Sequence, residues 1–223
     1  MGVKERKERE REQRRHVILE SARNAFIKHG LAHATMDKIA DEAELAKGTL
    51  YLYYRNRDEL LLTLVAVDME ELIRLMDAVV RSKKSADIKL HKAVEAFYHF
   101  SRNNEFFYKA MTQVNIGELL KCGEKESEAV NHFKQLNQRL VDGMKTIIED
   151  GVRDGTFFID KPADYIVIQI ILALKGTIMI LSNAMIPPEW AQMSTEHILL
   201  DQIRLFTRGL TNPLPTKRKQ SIS

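Results

Sequence analysis

Apolar residues recur along most of the chain at three- and four-residue intervals, the spacing that lines one side of an α-helix. The first such segment runs from about Arg15 to His29 through Leu19, Ala22 and Phe26, and Gly30 suits a left-handed residue past its end. Thr35 then stands where an N-cap belongs, with Asp37 in the first turn and Met36, Ile39, Ala40 and Ala43 as an apolar stripe, which predicts a short second helix. Another short stretch, Ala46 to about Tyr53, offers Leu50 and Tyr54 to a core. Two short helices across a tight turn make a helix-turn-helix, which in DNA-binding proteins sets its second helix in the major groove.

Asn56 with Glu59 three residues on reads as a cap with a reciprocal acid, opening a long helix through Leu60, Leu64, Val67, Leu72 and Met76 that links two domains. A helix from Ser85 carries Leu90, Val94 and Phe97 and ends around Arg102, Asn103 and Asn104. Shorter ones follow at about Glu105 to Thr112 and Ile116 to Lys121. From about Lys125 to Val152 the series Val130, Phe133, Leu136, Leu140, Met144, Ile147, Ile148 holds helical spacing and stops near Gly151 and Gly155. Pro162 suits the first turn of a helix reaching about Met185 that is apolar on nearly every side, and so is expected to be buried on several faces. Pro187 and Pro188 break the chain, and a last helix, about Thr195 to Leu210, precedes a basic tail. The expected fold is all-α, with an N-terminal extension over 1–14, a helix-turn-helix domain over 15–62, a helical domain over 63–212 and a disordered tail over 213–223.

Composition narrows the function. A 44% hydrophobic share supplies a core, and the single cysteine, Cys122, excludes an intramolecular disulfide framework. No secretory signal is legible at the start, and the most apolar run, Tyr165 to Leu181, is interrupted by Gln169 and Lys175, so a cytoplasmic chain is expected. Net charge is only +3, but Lys4, Arg6, Lys7, Arg9, Arg11, Arg14 and Arg15 crowd the first fifteen residues against four glutamates. That run could touch phosphate or form a solvated helix laced by i,i+4 pairs. No phosphate-cradling glycine loop, nucleophile elbow or paired-histidine metal motif is present, which argues against an enzyme and against a cofactor.

Thr35-Met36-Asp37-Lys38-Ile39-Ala40, then Lys47-Gly48-Thr49-Leu50-Tyr51-Leu52-Tyr53-Tyr54, then Arg57-Asp58-Glu59-Leu60-Leu61 resembles the signature of the tetracycline-repressor (TetR) family, and Ile18, Leu19, Ala22, Phe26 and Gly30 agree with it. The resemblance covers about residues 15 to 65. It implies a homodimeric, ligand-responsive repressor that binds a palindromic operator. On this reading Gly48 lets the helix backbone approach closely, Thr49 meets a base, Lys47 reaches a base edge or a phosphate, and Thr35, Lys38, Tyr51, Tyr53 and Arg57 hold the phosphates, unless the tyrosines simply fill the core. Two positions depart from the pattern. Glu44 occupies the turn where the family has glycine, and Ala46 the cap where it has serine or threonine. They leave open an adaptor or coactivator of the same fold that works through a protein partner.

In the C-terminal region the resemblance implies an intersubunit four-helix bundle, for which the stretches around Val130 to Val152 and Tyr165 to Leu181 are candidates, and a pocket for a small hydrophobic or aromatic effector. Phe97, Phe100, Phe106, Phe107, Met111, Phe133, Met144 and Trp190 could line it or simply fill a core. Asp87, His91, Glu95 and His99 follow one helix face at four-residue steps, which suits a solvated polar face better than a metal stripe, and Cys122 could be a redox sensor or inert.

Overall fold

In the computed structural model, which describes residues 2–122, 127–182, 187 and 192–212, the chain is helical with no strand among the described residues. The helices are α1 (Val3–His29), α2 (Met36–Glu42), α3 (Lys47–Tyr51), α4 (Arg57–Val80), α5 (Ala86–Asn103), α6 (Glu105–Gln113), α7 (Ile116–Cys122), α8 (Glu128–Arg153), α9 (Ala163–Ser182) and α10 (Thr195–Thr211). The all-α expectation is met. Trp190, Pro188, the expected end of α9 at Met185, the side chain of Cys122 and the 213–223 tail lie outside the described residues.

Two compact units share these helices: Met1–Glu71 with Ser101–Asn137, and Leu72–Phe100 with Gln138–Ser223. Helix α4 runs uninterrupted from the first into the second. Its start is fixed as the sequence suggests: the Asn56 side-chain oxygen accepts from the Glu59 N–H at 2.8 Å. The return bond shifts by one residue, because the Glu59 carboxylate accepts from the Arg55 N–H at 2.7 Å instead.

In the first unit α1 packs on α2 and α6, and α2 packs on α3. Ile18, Ala22, Phe26, Ile39, Leu50, Leu60 and Phe106 are buried there, with the Phe26 and Phe106 rings 5.9 Å apart. A bidentate ion pair crosses this core: Arg23 donates to both Asp68 oxygens at 3.0 and 2.8 Å, and its guanidinium lies 4.9 Å over the Phe106 ring. The pair ties α1 to α4, and the ring brings in α6. Helix α1 starts at Val3, twelve residues before the apolar pattern begins. Its first turns are exposed, and local charge pairing such as Arg6–Glu10 at 3.1 Å supports them in place of packing.

In the second unit α9 packs on α10, and the Phe158 N–H donates to the Leu210 carbonyl at 2.7 Å. Helix α8 does not stop at Gly151 but runs through it to Arg153. A Cβ at Gly151 would sit 2.2 Å from the Phe157 ring and 2.7 Å from Ala86, so this glycine is a packing notch. The apolar side of α8 is buried within the chain at Val130, Phe133, Leu136, Met144, Ile147 and Ile148. Its expected role in an intersubunit bundle therefore has little free apolar surface to rest on. Helix α9 departs the other way. Ala163, Val167, Ile170, Leu174 and Ile178 are buried, but Tyr165, Ile168, Leu172, Met179 and Ile180 are exposed, so one chain does not bury it on several faces as expected. The segment Ala163–Leu181 is long and apolar enough to cross a membrane.

Candidate nucleic-acid interface

Two buried positions in each case, Ile39 and Ala40 in α2 and Leu50 and Tyr54 in and after α3, hold the short helices against the first unit's core. Caps do the rest. The Thr35 hydroxyl accepts from the Lys38 N–H at 3.3 Å, as its place before Met36 predicts. At the other end of α2 the Glu44 N–H donates to the Asp41 carbonyl at 3.1 Å and the Leu45 N–H to the Ala40 carbonyl at 2.9 Å. That pair of bonds is the Schellman closure, and it puts Glu44 at φ 53, the left-handed region that favours glycine. The turn is therefore closed despite the glutamate. Helix α3 has no side-chain cap at Ala46, whose carbonyl accepts from the Thr49 N–H at 2.8 Å.

Of the residues expected at a DNA surface, Thr35, Lys47, Gly48 and Tyr51 are exposed, and Lys38, Thr49 and Tyr53 are half-buried. A Cβ at Gly48 would meet nothing within 4 Å, so the fold itself makes no use of the missing side chain and a partner could approach the backbone closely there. The Lys47 amino group is 2.6 Å from an Asp37 oxygen, and this hydrogen bond, with the charge of Asp37, raises its pKa above the ordinary lysine value. Lys38 donates to the His33 carbonyl at 3.0 Å. Each lysine would have to leave a weak, solvent-exposed partner to reach a phosphate, and exposed pairs are worth about 0–1 kcal/mol.

Arg57 is the exception. Its guanidinium turns inward, bonding Asp58 at 2.7 Å and the Leu31 carbonyl and lying 5.6 Å over the Phe26 ring, with Nε buried and unpartnered. In this arrangement it braces the start of α4 against the loop after α1 and is not free to hold a phosphate. Two residues escaped the sequence reading. The sequence marks Asp37 only as a first-turn acid, yet it pairs with Lys47. Leu52 is 79% exposed at the end of α3. Its place two residues after the buried Leu50 puts it on the opposite side of the helix, which was the available signal.

The candidate effector residues divide between the units. Phe107, Met111 and Phe133 belong to the first and Phe97, Phe100 and Met144 to the second. Phe106, Phe107, Phe133 and Met144 are buried, whereas Phe97, Phe100 and Met111 are half-buried. Among the described residues no three His, Cys, Asp or Glu side chains gather as a metal set. Along the α5 stripe, His99 lies 3.9 Å from Glu196. Burial, and then the charge of Arg204, lower the pKa of His91 against the opposing pull of Glu95 and Asp87.

Residues 18–64 match the family model described as bacterial regulatory proteins, tetR family. The HTH-type transcriptional regulator YhgD of Bacillus subtilis is 25% identical over 151 residues, covering 68% of this chain and 74% of its own length. The fatty acid metabolism regulator protein of the same organism is 26% identical over 139 residues, covering 62% of this chain and 68% of its own. Among solved structures, the transcriptional regulator FadR from Bacillus subtilis in complex with stearoyl-CoA superposes with a TM-score of 0.67 at 16% identity, over 87% of this chain and 98% of that one, so the two share a fold.

Proposed function

For a chain that belongs to the TetR family of DNA-binding transcriptional regulators, we propose that it is a cytoplasmic repressor that binds a palindromic operator as a homodimer and lets go when a fatty acyl compound binds. The observation that carries the DNA reading is the reading face itself. A hydrogen-bonded turn fixes α3 so that Lys47, Gly48 and Tyr51 stand outward, with Thr49 and Tyr53 half-exposed between them, next to the Thr35 and Lys38 end of α2. Lys47 and Thr49 read base edges, Gly48 lets the backbone close on the groove, and Thr35, Lys38, Tyr51 and Tyr53 fix the register on phosphates. The intact turn favours DNA over the adaptor reading, since Glu44 and Ala46 have not undone the geometry.

Dimerisation is supported by the exposed stripe Tyr165, Ile168, Leu172 and Met179 on α9, with Leu205 on α10. An apolar face of this kind is covered most simply by its own symmetry mate, and a pair of reading helices then sits about 34 Å apart, one turn of DNA, or a multiple of it. The fatty acyl assignment draws on the 26% identical relative named as a fatty acid metabolism regulator. Among the candidate residues, Phe97 and Phe100 of the second unit are half-buried and are the aromatic groups best able to meet such a chain. Release follows if the effector tilts α4, which belongs to both units, and so alters the spacing of the two reading heads.

Selection of genomic fragments by the purified protein at physiological salt tests this directly. A palindrome should emerge, Tyr51→Phe should bind it more weakly by about 1 kcal/mol, roughly fivefold, and long-chain acyl-CoA should release it. Enrichment of no sequence over bulk DNA would end the operator reading, and an operator complex indifferent to acyl-CoA would end the effector assignment.

A further inference from the structure

The first four turns of α1 contribute nothing to the core: every described side chain from Lys4 to Arg14 is exposed, and the first buried residue of the helix is Ile18. Charge in this segment is sorted by face. At 3.6 residues per turn Lys4, Lys7, Arg11 and Arg14 fall within an arc of about 80° and along about 15 Å of helix, while Glu5, Glu8 and Glu12 gather on a different side. Of the other cations, Arg6 is paired with Glu10 at 3.1 Å and Arg15, which borders that edge, with Glu12 at 3.6 Å, while Arg9 lies off it. Lys4, Lys7, Arg11 and Arg14 make no ion pair with any described residue.

Although Glu8 and Glu10 lie three or four residues from these cations, like charges also stack along the edge. Lys7 above Arg11, and Arg11 above Arg14, stack like charges at i,i+4 and i,i+3, an arrangement that disfavours an isolated helix. It becomes favourable beside a row of negative charge. The end of this segment is anchored on the helix-turn-helix domain, where the Arg15 guanidinium lies 6.0 Å over the ring of the buried Tyr54 just after α3.

We propose that residues 4–14 form a second duplex-binding element, whose Lys4, Lys7, Arg11 and Arg14 edge lies along phosphates flanking the helix-turn-helix contact. This rests on the DNA-binding reading above and extends its footprint outward from each half-site without adding sequence preference, because phosphate contacts carry none.

The test compares full-length wild type with two charge-matched variants, Lys7→Gln/Arg11→Gln on the edge and Arg6→Gln/Arg9→Gln off it. Each is titrated against the selected operator with long flanks and against an unrelated long duplex between about 50 and 200 mM salt. Glutamine keeps helix propensity, and circular dichroism checks that both variants fold. The edge variant should flatten the salt dependence of log K by about 0.9 for each lost contact, about 3.6 for a dimer. It should also lose hydroxyl-radical protection at the outer flanks, and the off-edge variant should do neither. Equal effects from both variants, or none from either, overturn the proposal and leave the operator reading standing. Wild type that binds neither duplex overturns both.

Discussion

The unit that carries the helix-turn-helix and the face formed by α9 and α10 treat their apolar surface in opposite ways. Helices α2 and α3 have 7 and 5 residues, too short to persist alone, yet Ile39, Leu50 and Tyr54 are buried and both ends of the turn are hydrogen-bonded. Helix α9 has 20 residues and leaves Leu172 63% exposed at the middle of an apolar stripe. The short helices find their apolar cover within one chain, whereas the stripe on α9 is left exposed by it. A short polar face needs rigid backing from its own chain, whereas a long apolar face gains most from a second copy.

The sharpest way to break that contrast is Leu172→Glu. A carboxylate at the centre of the α9 face should cost the dimer more than about 3 kcal/mol per subunit, because it would be buried without a partner. Sedimentation should find monomer, with operator binding lost and helical content kept. A variant that stays dimeric would place the interface elsewhere and leave the exposed stripe without its proposed occupant.

The next effect lies inside the first unit. Asp68→Ala strands Arg23 beside Phe106 and should cost about 3 kcal/mol, roughly 10 °C of melting temperature in a chain of this size. The double variant Arg23→Met/Asp68→Leu should recover most of that loss, since apolar side chains of similar volume can replace a buried pair at little cost. Failure of Asp68→Ala to destabilise would mean that apolar packing, such as the Phe26–Phe106 contact between α1 and α6, carries this core without the ion pair.

A smaller difference should appear with pH, and only in the second unit. Burial and Arg204 hold the folded pKa of His91 below its ordinary 6.5, so the unfolded chain binds the proton more tightly. Its contribution to stability is complete above about 6.5 and is lost as pH falls from there through the lower folded value. Denaturant midpoints of wild type and His91→Gln should converge with acid. Parallel curves would show that His91 titrates alike in both states.

How much of this was legible in the sequence depended on whether the deciding contact was local. Thr35 before Met36, and Asn56 before Glu59, announce caps because a cap is a matter of three residues, and both are present. Leu50 and Tyr54 show their burial through helical spacing. The charge spacing over residues 4–15 allows the helix that α1 forms from Val3, but no apolar stripe marks its start, because its support is charge pairing and the hydrophobic period begins only at Arg15. Arg57 read as a phosphate ligand because its acceptor is the Leu31 carbonyl, 26 positions back and invisible to any local pattern. The apolar surround of α9 was plain, but a sequence does not say whether its own chain or a second one provides the cover.

The smallest expected effect bears on the turn that sets α3. Glu44 sits at φ 53, where a Cβ crowds the backbone and glycine does not. Glu44→Gly should remove a strain of order 1 kcal/mol, and the greater freedom of glycine in the unfolded chain subtracts part of that gain. The net rise in melting temperature should be about 2 °C. Because the Glu44 and Leu45 N–H groups already close the turn on Asp41 and Ala40, the substitution should leave the α2–α3 geometry in place while removing a negative charge beside the reading helix. Operator affinity should therefore rise most at low salt, where that charge is least screened. A gain in stability without any gain in affinity would put Glu44 outside the field of the DNA, and a loss of stability would mean that its side chain holds the turn through a contact stronger than the strain it imposes.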